Sequence, residues 1–179
     1  MALVRPIIFQ VTGYQNSGKT TYTQKLIQSL KAAGISVATI KHHGHGGKPE
    51  VQQEKDSTKH LTAGAFASIV GGGGRIILQA EDIEVGLEEQ IGLLGFFQPD
   101  VILVEGFKNK SFPKVILIRS QSDLPLLSEV TNIKAILYWQ EELGETIQSQ
   151  MDVPCFQIND GNSVDWIVQL LRNCVEMGG

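Results

Sequence analysis

The sequence predicts an α/β domain in three layers, with helices on both faces of a mostly parallel central sheet. Short apolar segments rich in β-branched residues alternate with longer segments whose apolar residues recur every three or four positions. The 179 residues, 42% hydrophobic and 19% charged, suit one domain of ordinary size. No internal repeat or boundary is evident, so we expect a single domain over residues 1–179.

The first three elements form a strand–helix–strand unit. Residues 6–12 are apolar and short enough for a buried strand. Helical spacing follows, with apolar residues at Tyr22, Leu26, Leu30 and Ala33. Gly34 suits the end of that helix, and residues 35–40 form the next strand. This order predicts a right-handed βαβ unit.

The middle of the chain departs from this alternation. Residues 41–54 are polar and read as a functional loop, and residues 56–65 as a helix. Two β-like runs, 66–70 and 75–80, flank Gly71–Gly74 and predict a hairpin with a flexible glycine turn. Asp82 is expected to cap a helix that runs to about Phe97.

The last third returns to alternating strands and helices. Strands are predicted over residues 101–104, 114–118, 134–139 and 155–158. Helices are predicted over residues 140–151 and 163–177. The whole pattern therefore favours a mostly parallel sheet with a β-hairpin extension.

Composition excludes several classes of protein. The net charge is −4 and no long basic run occurs, which argues against nucleic-acid binding. Cys155 and Cys174 have neither metal-ligand spacing nor a disulfide framework, so we expect buried free thiols in a reducing compartment. No segment approaches the roughly 20 apolar residues of a membrane span. We therefore expect a cytoplasmic protein that makes no membrane contact.

The segment GYQNSGKT, residues 13–20, fits the phosphate-loop pattern GxxxxGK[ST]. Glycines 13 and 18 let backbone N–H groups approach phosphate oxygens, and the following helix directs its N-terminal donors at them. Lys19 supplies a positive charge to the β and γ phosphates, and Thr20 offers a hydroxyl to Mg²⁺. The position between a buried strand and an amphipathic helix predicts a site for a nucleoside triphosphate with Mg²⁺.

A phosphate loop needs an acidic residue near the metal, and one strand has a candidate at each end. Ligands of parallel sheets bind at the carboxyl ends of strands. Glu105 lies at that end, whereas Asp100 lies at the amino end and is expected as a turn residue. Glu105 is therefore the predicted direct or indirect Mg²⁺ partner, with a solvated strand-end carboxylate as the alternative.

Two polar segments leave more than one interpretation open. His42, His43 and His45 follow the second strand, but a fourth zinc ligand at familiar spacing is missing. Two interpretations of this histidine segment therefore remain, namely contact with phosphate or a partner, and an ordinary polar loop. Asp56 and Ser57 either cap a helix or bring Asp56 near the γ-phosphate, where it would orient water.

Four blocks together resemble a known family. They are GYQNSGKTT, TIKHHGH, KDSTKHLTAGA and DVILVEGFK, within about residues 7 to 119. Their order and spacing are similar to the bacterial molybdopterin-guanine dinucleotide biosynthesis protein B family. The resemblance implies a P-loop GTP-binding fold, weak Mg²⁺-dependent GTPase activity and a homodimer. It also implies a role in assisting the guanylyltransferase that attaches GMP to molybdopterin.

The resemblance also implies a set of site residues. Those expected to hold GTP are Gly13, Asn16, Ser17, Gly18, Lys19, Thr20, Thr21, Lys41, His42, His45, Gly106 and Lys108. Lys19, Asp56 and Glu105 are expected to serve catalysis, and Thr20 and Glu105 to hold the metal. The chain departs from the family at residues 46–50, GGKPE, where acidic extended sequence is common. Residues 134–140 lack the Asp of an N/TKxD-type element, so guanine preference rests on the resemblance.

Two other functions compete with this one. A small-molecule kinase using ATP would share the loop, but it normally needs a lid that carries arginines. The arginines are Arg5, Arg75, Arg119 and Arg172, scattered singly. An interaction module that binds nucleotide with negligible turnover differs from a weak GTPase only in rate.

The predicted hairpin is the basis for expecting a dimer. Its two runs are strongly apolar and would leave an exposed sheet edge prone to aggregation. Pairing with a second copy would bury that surface, and two-fold symmetry is the commonest arrangement. The alternative is that the hairpin packs on the core of its own domain.

Overall fold

The computed structural model describes residues 6–42, 56–81 and 83–178, with side chains of residues 56–58 outside the description. Two compact units are present. The larger consists of Met1–Gly44 and Gln90–Gly179, and the smaller of His45–Glu89. The strands are β1 (Ile7–Gly13), β2 (Val37–Lys41), β3 (Ala67–Gly72), β4 (Arg75–Ala80), β5 (Val101–Glu105), β6 (Lys114–Ile118), β7 (Ile133–Tyr138) and β8 (Cys155–Gln157). The helices are α1 (Lys19–Ala32), α2 (Asp56–Thr62), α3 (Leu87–Gly95), α4 (Leu126–Glu129), α5 (Glu142–Gln150) and α6 (Asn162–Met177).

The larger unit is built on a six-stranded sheet in the order β2-β5-β1-β6-β7-β8. Every neighbouring pair in this sheet is parallel. Strand β1 lies in the interior, between β5 and β6, so the loop that leaves its carboxyl end has strand ends on both sides. The predicted α/β fold with a mostly parallel sheet is confirmed.

Helices cover both faces of the sheet because its central strands are apolar on both faces. One core cluster joins α1 and α6 to the sheet, with Leu26 and Leu30 of α1 and Ile167 of α6 fully buried. The other joins α4 and α5 to the opposite face through Leu126 and Ile147. All five residues of β5 and of β6 are buried, as expected for strands covered on both faces.

The smaller unit contains α2 and the antiparallel hairpin of β3 and β4. Gly72 pairs with Arg75, so Gly73 and Gly74 form a two-residue turn, with φ of +57° and +78°. Both angles suit a type I′ turn, which matches the twist of the flanking strands. The predicted hairpin extension is confirmed.

Several predicted element boundaries were wrong, among them the end of α2, at Thr62 and not residue 65, and the start of α5, at Glu142 and not residue 140. Strand β2 begins at Val37 because the preceding Ser36 is engaged elsewhere: its N–H and hydroxyl donate to Asp100 Oδ2 at 2.7 and 2.6 Å. These bonds confirm Asp100 as a structural residue at the amino end of β5. Helix α3 begins at Leu87, after Gly86, which has a low helix propensity. Asp82, the expected cap, lies outside the described residues.

The two cysteines differ from expectation in burial. Both thiols are free, but each is half-buried. Cys155 lies on β8, at the edge of the sheet, and Cys174 lies in the last turn of α6, so neither is enclosed on all sides. Among the helices of the described chain, none is both long enough and apolar enough to cross a bilayer.

Candidate functional site

The loop between β1 and α1 has a backbone that tolerates few other residues. Gly13, Asn16 and Gly18 have φ of +155°, +58° and +95°. A methyl group on Gly13 would lie 2.7 Å from Ser17 Oγ and 2.8 Å from the carbonyl oxygen of Leu117. Because real Cβ atoms do not approach so closely, the tight turn requires glycine at this position.

Lys19 lies folded over this loop. Its Nζ donates a hydrogen bond to the carbonyl oxygen of Tyr14 at 2.7 Å. Burial lowers the pKa of Lys19 from its ordinary value, and the charge of Glu105 opposes that shift. The ammonium group is therefore tethered at the phosphate loop, where an anionic ligand would offset its desolvation.

Three polar side chains converge at the carboxyl ends of β2 and β5. The Thr20 hydroxyl donates to Glu105 Oε1 at 2.7 Å. Lys41 Nζ lies 3.3 Å from Thr20 Oγ1 and 3.7 Å from Glu105 Oε1. Glu105 is buried, with 8% of its surface exposed. Thr20 and Glu105, the two residues expected to hold the metal, thus lie within hydrogen-bond distance of each other. A hydroxyl beside a carboxylate is a donor set that suits Mg²⁺.

Two observations indicate that the loop fits a polyphosphate. Ser17 Oγ is buried and has no hydrogen-bond partner among the described residues. Helix α1 begins at Lys19 without a side-chain cap and without an acidic residue in its first turn. First-turn N–H groups need acceptors, and phosphate oxygens supply them.

The turn after β5 is fixed by a buried polar side chain. Gln10, fully buried in β1, donates from Nε2 to the carbonyl oxygens of Gly106 and Phe107 at 3.2 and 3.0 Å. The His42 ring lies 4.5 Å from that of Phe107, and the His42 N–H donates to the Glu105 carbonyl at 3.0 Å. Gln10 was not among the residues predicted from the sequence, although an amide inside an apolar strand was the available signal.

A second cluster borders the other side of the loop. Lys108 Nζ lies 4.9 Å from the centre of the Tyr14 ring and 3.5 Å from Glu129 Oε2. The Tyr14 hydroxyl donates to the same carboxylate oxygen at 3.2 Å. Lys108 is therefore close to the phosphate loop, as expected, and its charge is paired with Glu129.

Trp139 also contacts the phosphate loop, and it was not among the site residues predicted from the sequence. It directly follows β7, and its indole Nε1 donates to the Ser17 carbonyl at 2.9 Å. A methyl group on Gly18 would lie 3.0 Å from the indole ring. The only signal in the sequence was its position at the carboxyl end of a predicted strand.

The structure brings most of the predicted site residues together and leaves some untested. The residues grouped at the loop and the adjoining strand ends are Gly13, Asn16, Ser17, Gly18, Lys19, Thr20, Lys41, His42, Glu105, Gly106 and Lys108. Thr21 is exposed on α1. His45 and the side chain of Asp56 lie outside the described residues. Within the described ranges, no three His, Cys, Asp or Glu residues form a metal-binding group.

Gln10→Leu is expected to lower the free energy of unfolding by about 1–3 kcal/mol, because the carbonyl groups of Gly106 and Phe107 lose a hydrogen bond from a buried donor. Urea unfolding measures the change. Gln28→Leu on the exposed face of α1 is the matched control and should change stability by less than about 0.5 kcal/mol. Equal effects of the two substitutions would contradict the role given to Gln10.

The chain is similar to one described protein family and to curated bacterial proteins. The family model described as "Molybdopterin guanine dinucleotide synthesis protein B" matches residues 8–139, more than half of the chain. A Bacillus subtilis protein named "Probable molybdopterin-guanine dinucleotide biosynthesis adapter protein" is 38% identical over 174 residues, covering 96% of this chain and 98% of the relative. An Escherichia coli adapter protein of the same biosynthesis is 36% identical over 163 residues, covering 89% and 90%.

Solved structures show the same similarity. The crystal structure of Bacillus subtilis MobB superposes with a TM-score of 0.77 at 34% identity, covering 91% of this chain and 96% of that one. The MobB homologue from Bacillus stearothermophilus gives 0.73 at 29% identity, covering 93% and 98%. From the family match, the curated relatives and these folds together, the chain belongs to the molybdopterin guanine dinucleotide synthesis protein B family.

Proposed function

We propose that this protein binds GTP with Mg²⁺ at the phosphate loop and hydrolyses it slowly. We propose further that it acts as an adapter for the guanylyltransferase that attaches GMP to molybdopterin. The single observation that carries the nucleotide site is the 2.7 Å contact between Thr20 and Glu105 beside the tethered Lys19. The adapter role is supported by the names of the curated relatives.

Each polar residue of the site has a distinct task in this proposal. Lys19 would leave the Tyr14 carbonyl and donate to oxygens of the β and γ phosphates. Thr20 and Glu105 would hold Mg²⁺ or its bound water, and the ion would neutralise phosphate charge. Lys41, beside both, would place a further positive charge near the terminal phosphate.

The test of the metal-binding part is a nucleotide-affinity panel with and without Mg²⁺, on the wild type and on Glu105→Gln. We expect Mg²⁺ to tighten GTP binding to the wild type at least tenfold and to have little effect on the variant, since the amide is a weaker metal ligand. Glu145→Gln, an exposed position on α5, is the matched control and should behave as wild type. An undiminished Mg²⁺ effect in Glu105→Gln would remove Glu105 from the metal site.

Hydrolysis by the isolated protein is expected to be slow. In the described residues, the polar contacts found at the phosphate loop include no arginine side chain. P-loop GTPases without a supplied arginine hydrolyse GTP at roughly 10⁻⁴–10⁻³ s⁻¹. A phosphate-release assay under single-turnover conditions measures the rate of GTP hydrolysis. A rate above about 1 s⁻¹, on the scale of kinases, would favour the small-molecule kinase instead.

The adapter role can be measured separately from hydrolysis. Formation of the guanine dinucleotide by the guanylyltransferase is followed with molybdopterin and GTP, with and without this protein. Wild-type protein should raise the yield, and a folded variant that cannot bind GTP should not. Equal stimulation by both would mean that the adapter acts without its nucleotide site.

A homodimer built on the hairpin completes the proposal. Five apolar residues of the hairpin region are exposed, namely Phe66, Ile69, Val70, Ile76 and Leu78. Ile76 and Leu78 alternate with the less exposed Ile77, which places them together on the open face of β4. A second copy pairing with this face would bury apolar surface that is a liability in a monomer.

Leu78→Lys is expected to convert the dimer to a monomer at micromolar concentration, because a charge would be buried at the interface. Multi-angle light scattering gives the mass directly. Thr62→Lys, at an exposed position on α2, is the control for added charge in the same unit. A wild-type protein that is monomeric under these conditions would refute the dimer.

A further inference from the structure

We propose that the indole ring of Trp139 stacks on the base of the nucleoside triphosphate bound at the phosphate loop. The inference rests on the proposed function, since it assumes that the loop holds a triphosphate. It adds a contact to the part of the ligand that the loop itself does not reach.

The order of strands indicates how a bound nucleotide would be oriented along the carboxyl edge of the sheet. Thr20, Lys41 and Glu105 lie toward β5, on one side of β1. These residues suit the metal-bound, terminal end of the phosphate chain. The nucleoside end must then leave toward β6 and β7, on the other side of β1. Trp139 directly follows β7 on that side.

Trp139 is held in place at three points, two of them in the loop. Its indole N–H donates to the Ser17 carbonyl, and its backbone N–H donates to the Ile118 carbonyl at 3.1 Å. The ring also passes so close to Gly18 that a Cβ there would lie only 3.0 Å away. A ring fixed in this way loses little conformational entropy when a ligand stacks on it.

The exposure of Trp139 is the observation that favours a ligand over simple packing. The residue is 42% exposed although its only side-chain donor is already satisfied. Most of the side-chain surface open to solvent is therefore aromatic carbon, next to the backbone of the phosphate loop. Every nucleobase has a π face that can cover such a ring, so the contact adds affinity without choosing between guanine and adenine.

The experiment compares two ligands that share phosphate chemistry and differ in the base. GTP and inorganic tripolyphosphate are titrated, both with Mg²⁺, into the wild type, Trp139→Phe and Trp139→Ala. Loss of base stacking corresponds to a decrease in affinity of roughly ten- to a hundredfold. We expect Trp139→Ala to lose that much affinity for GTP and less than about threefold for tripolyphosphate, and Trp139→Phe to lose less for GTP than Trp139→Ala.

A fluorescence reporter gives an independent readout. The chain has two tryptophans, and Trp166 packs beside Phe156, with ring centres 6.1 Å apart. Trp166→Phe leaves Trp139 as the single tryptophan. Its emission should be quenched by GTP and change much less with tripolyphosphate.

The outcomes separate the inference from the function on which it rests. Equal losses for GTP and tripolyphosphate in folded Trp139→Ala would mean that Trp139 only braces the loop, which overturns the proposal. Unchanged GTP affinity would overturn it as well. A wild-type protein that binds neither ligand would refute the nucleotide site itself. Far-UV circular dichroism and urea unfolding establish that each variant is folded.

Discussion

Lys19→Ala is expected to abolish tight binding of the nucleoside triphosphate while leaving the protein folded. Removing one partner of a desolvated, charge-assisted contact costs about 2–5 kcal/mol, a decrease in affinity of roughly thirty- to several-thousandfold. The fold should tolerate the change because, among the described residues, the Lys19 side chain makes one hydrogen bond, to the Tyr14 carbonyl. Its lowered pKa shows that the charge itself is disfavoured by burial in the free protein.

The measurement is isothermal titration with GTP and Mg²⁺, accompanied by urea unfolding of the same samples. Lys25→Ala removes an equal charge from an exposed position on the same helix. It controls for the general electrostatic attraction of the ligand and should change affinity less than about threefold. A folded Lys19→Ala protein with wild-type affinity would sink the assignment of residues 13–20 as a phosphate site.

Gly13→Ala is expected to produce the second large effect, a combined loss of stability and nucleotide binding. The backbone at Gly13 has φ of +155°, a region costly for any residue with a Cβ. The added methyl group would also collide with Ser17 Oγ and with the Leu117 carbonyl oxygen, a backbone atom of the fully buried β6. The strained conformation alone costs about 1–3 kcal/mol, and relief of the collision must displace the loop.

Gly34→Ala separates the cost of the strained backbone from the cost of the steric collision. Gly34 also has a positive φ, +79°, but a Cβ there meets nothing within 4 Å. It should therefore show the conformational cost, on the order of 1 kcal/mol, without any loss of GTP affinity. Urea unfolding and GTP titration of both variants make the comparison. If Gly13→Ala were no worse than Gly34→Ala in both assays, the close packing of the loop would not matter.

Predictions from local sequence were correct where the structure depends on residues that are close together in the chain. The residues of the phosphate loop are contiguous, and both glycines and Asn16 take the positive φ that the turn requires. The helical spacing of Tyr22, Leu26 and Leu30 predicted the buried face of α1 correctly. Glycines 71–74 between two apolar runs likewise predicted the hairpin of β3 and β4, although the turn itself is only Gly73 and Gly74. In each case the signal lies within one turn or one periodic segment.

Glu105 is an intermediate case. Its position at the carboxyl end of a buried strand predicted proximity to the loop, since parallel strands end at one edge of the sheet. That Thr20, 85 residues away, donates to it at 2.7 Å depended on β5 lying directly beside β1. The sequence predicted that Glu105 lies at the carboxyl edge of the sheet. The strand order decided that its neighbour there is Thr20.

What the sequence by itself determined is the fold class, the family, and the tight glycine-containing turn between β1 and α1. What only the tertiary structure decided is the set of long-range contacts made around that loop. Trp139 donates to Ser17 across 122 residues, and Gln10 to Gly106 across 96. Periodicity and motif spacing report on residues close in the chain. Contacts between strand ends follow from the order β2-β5-β1-β6-β7-β8, which packing of the apolar faces selects and no local pattern encodes.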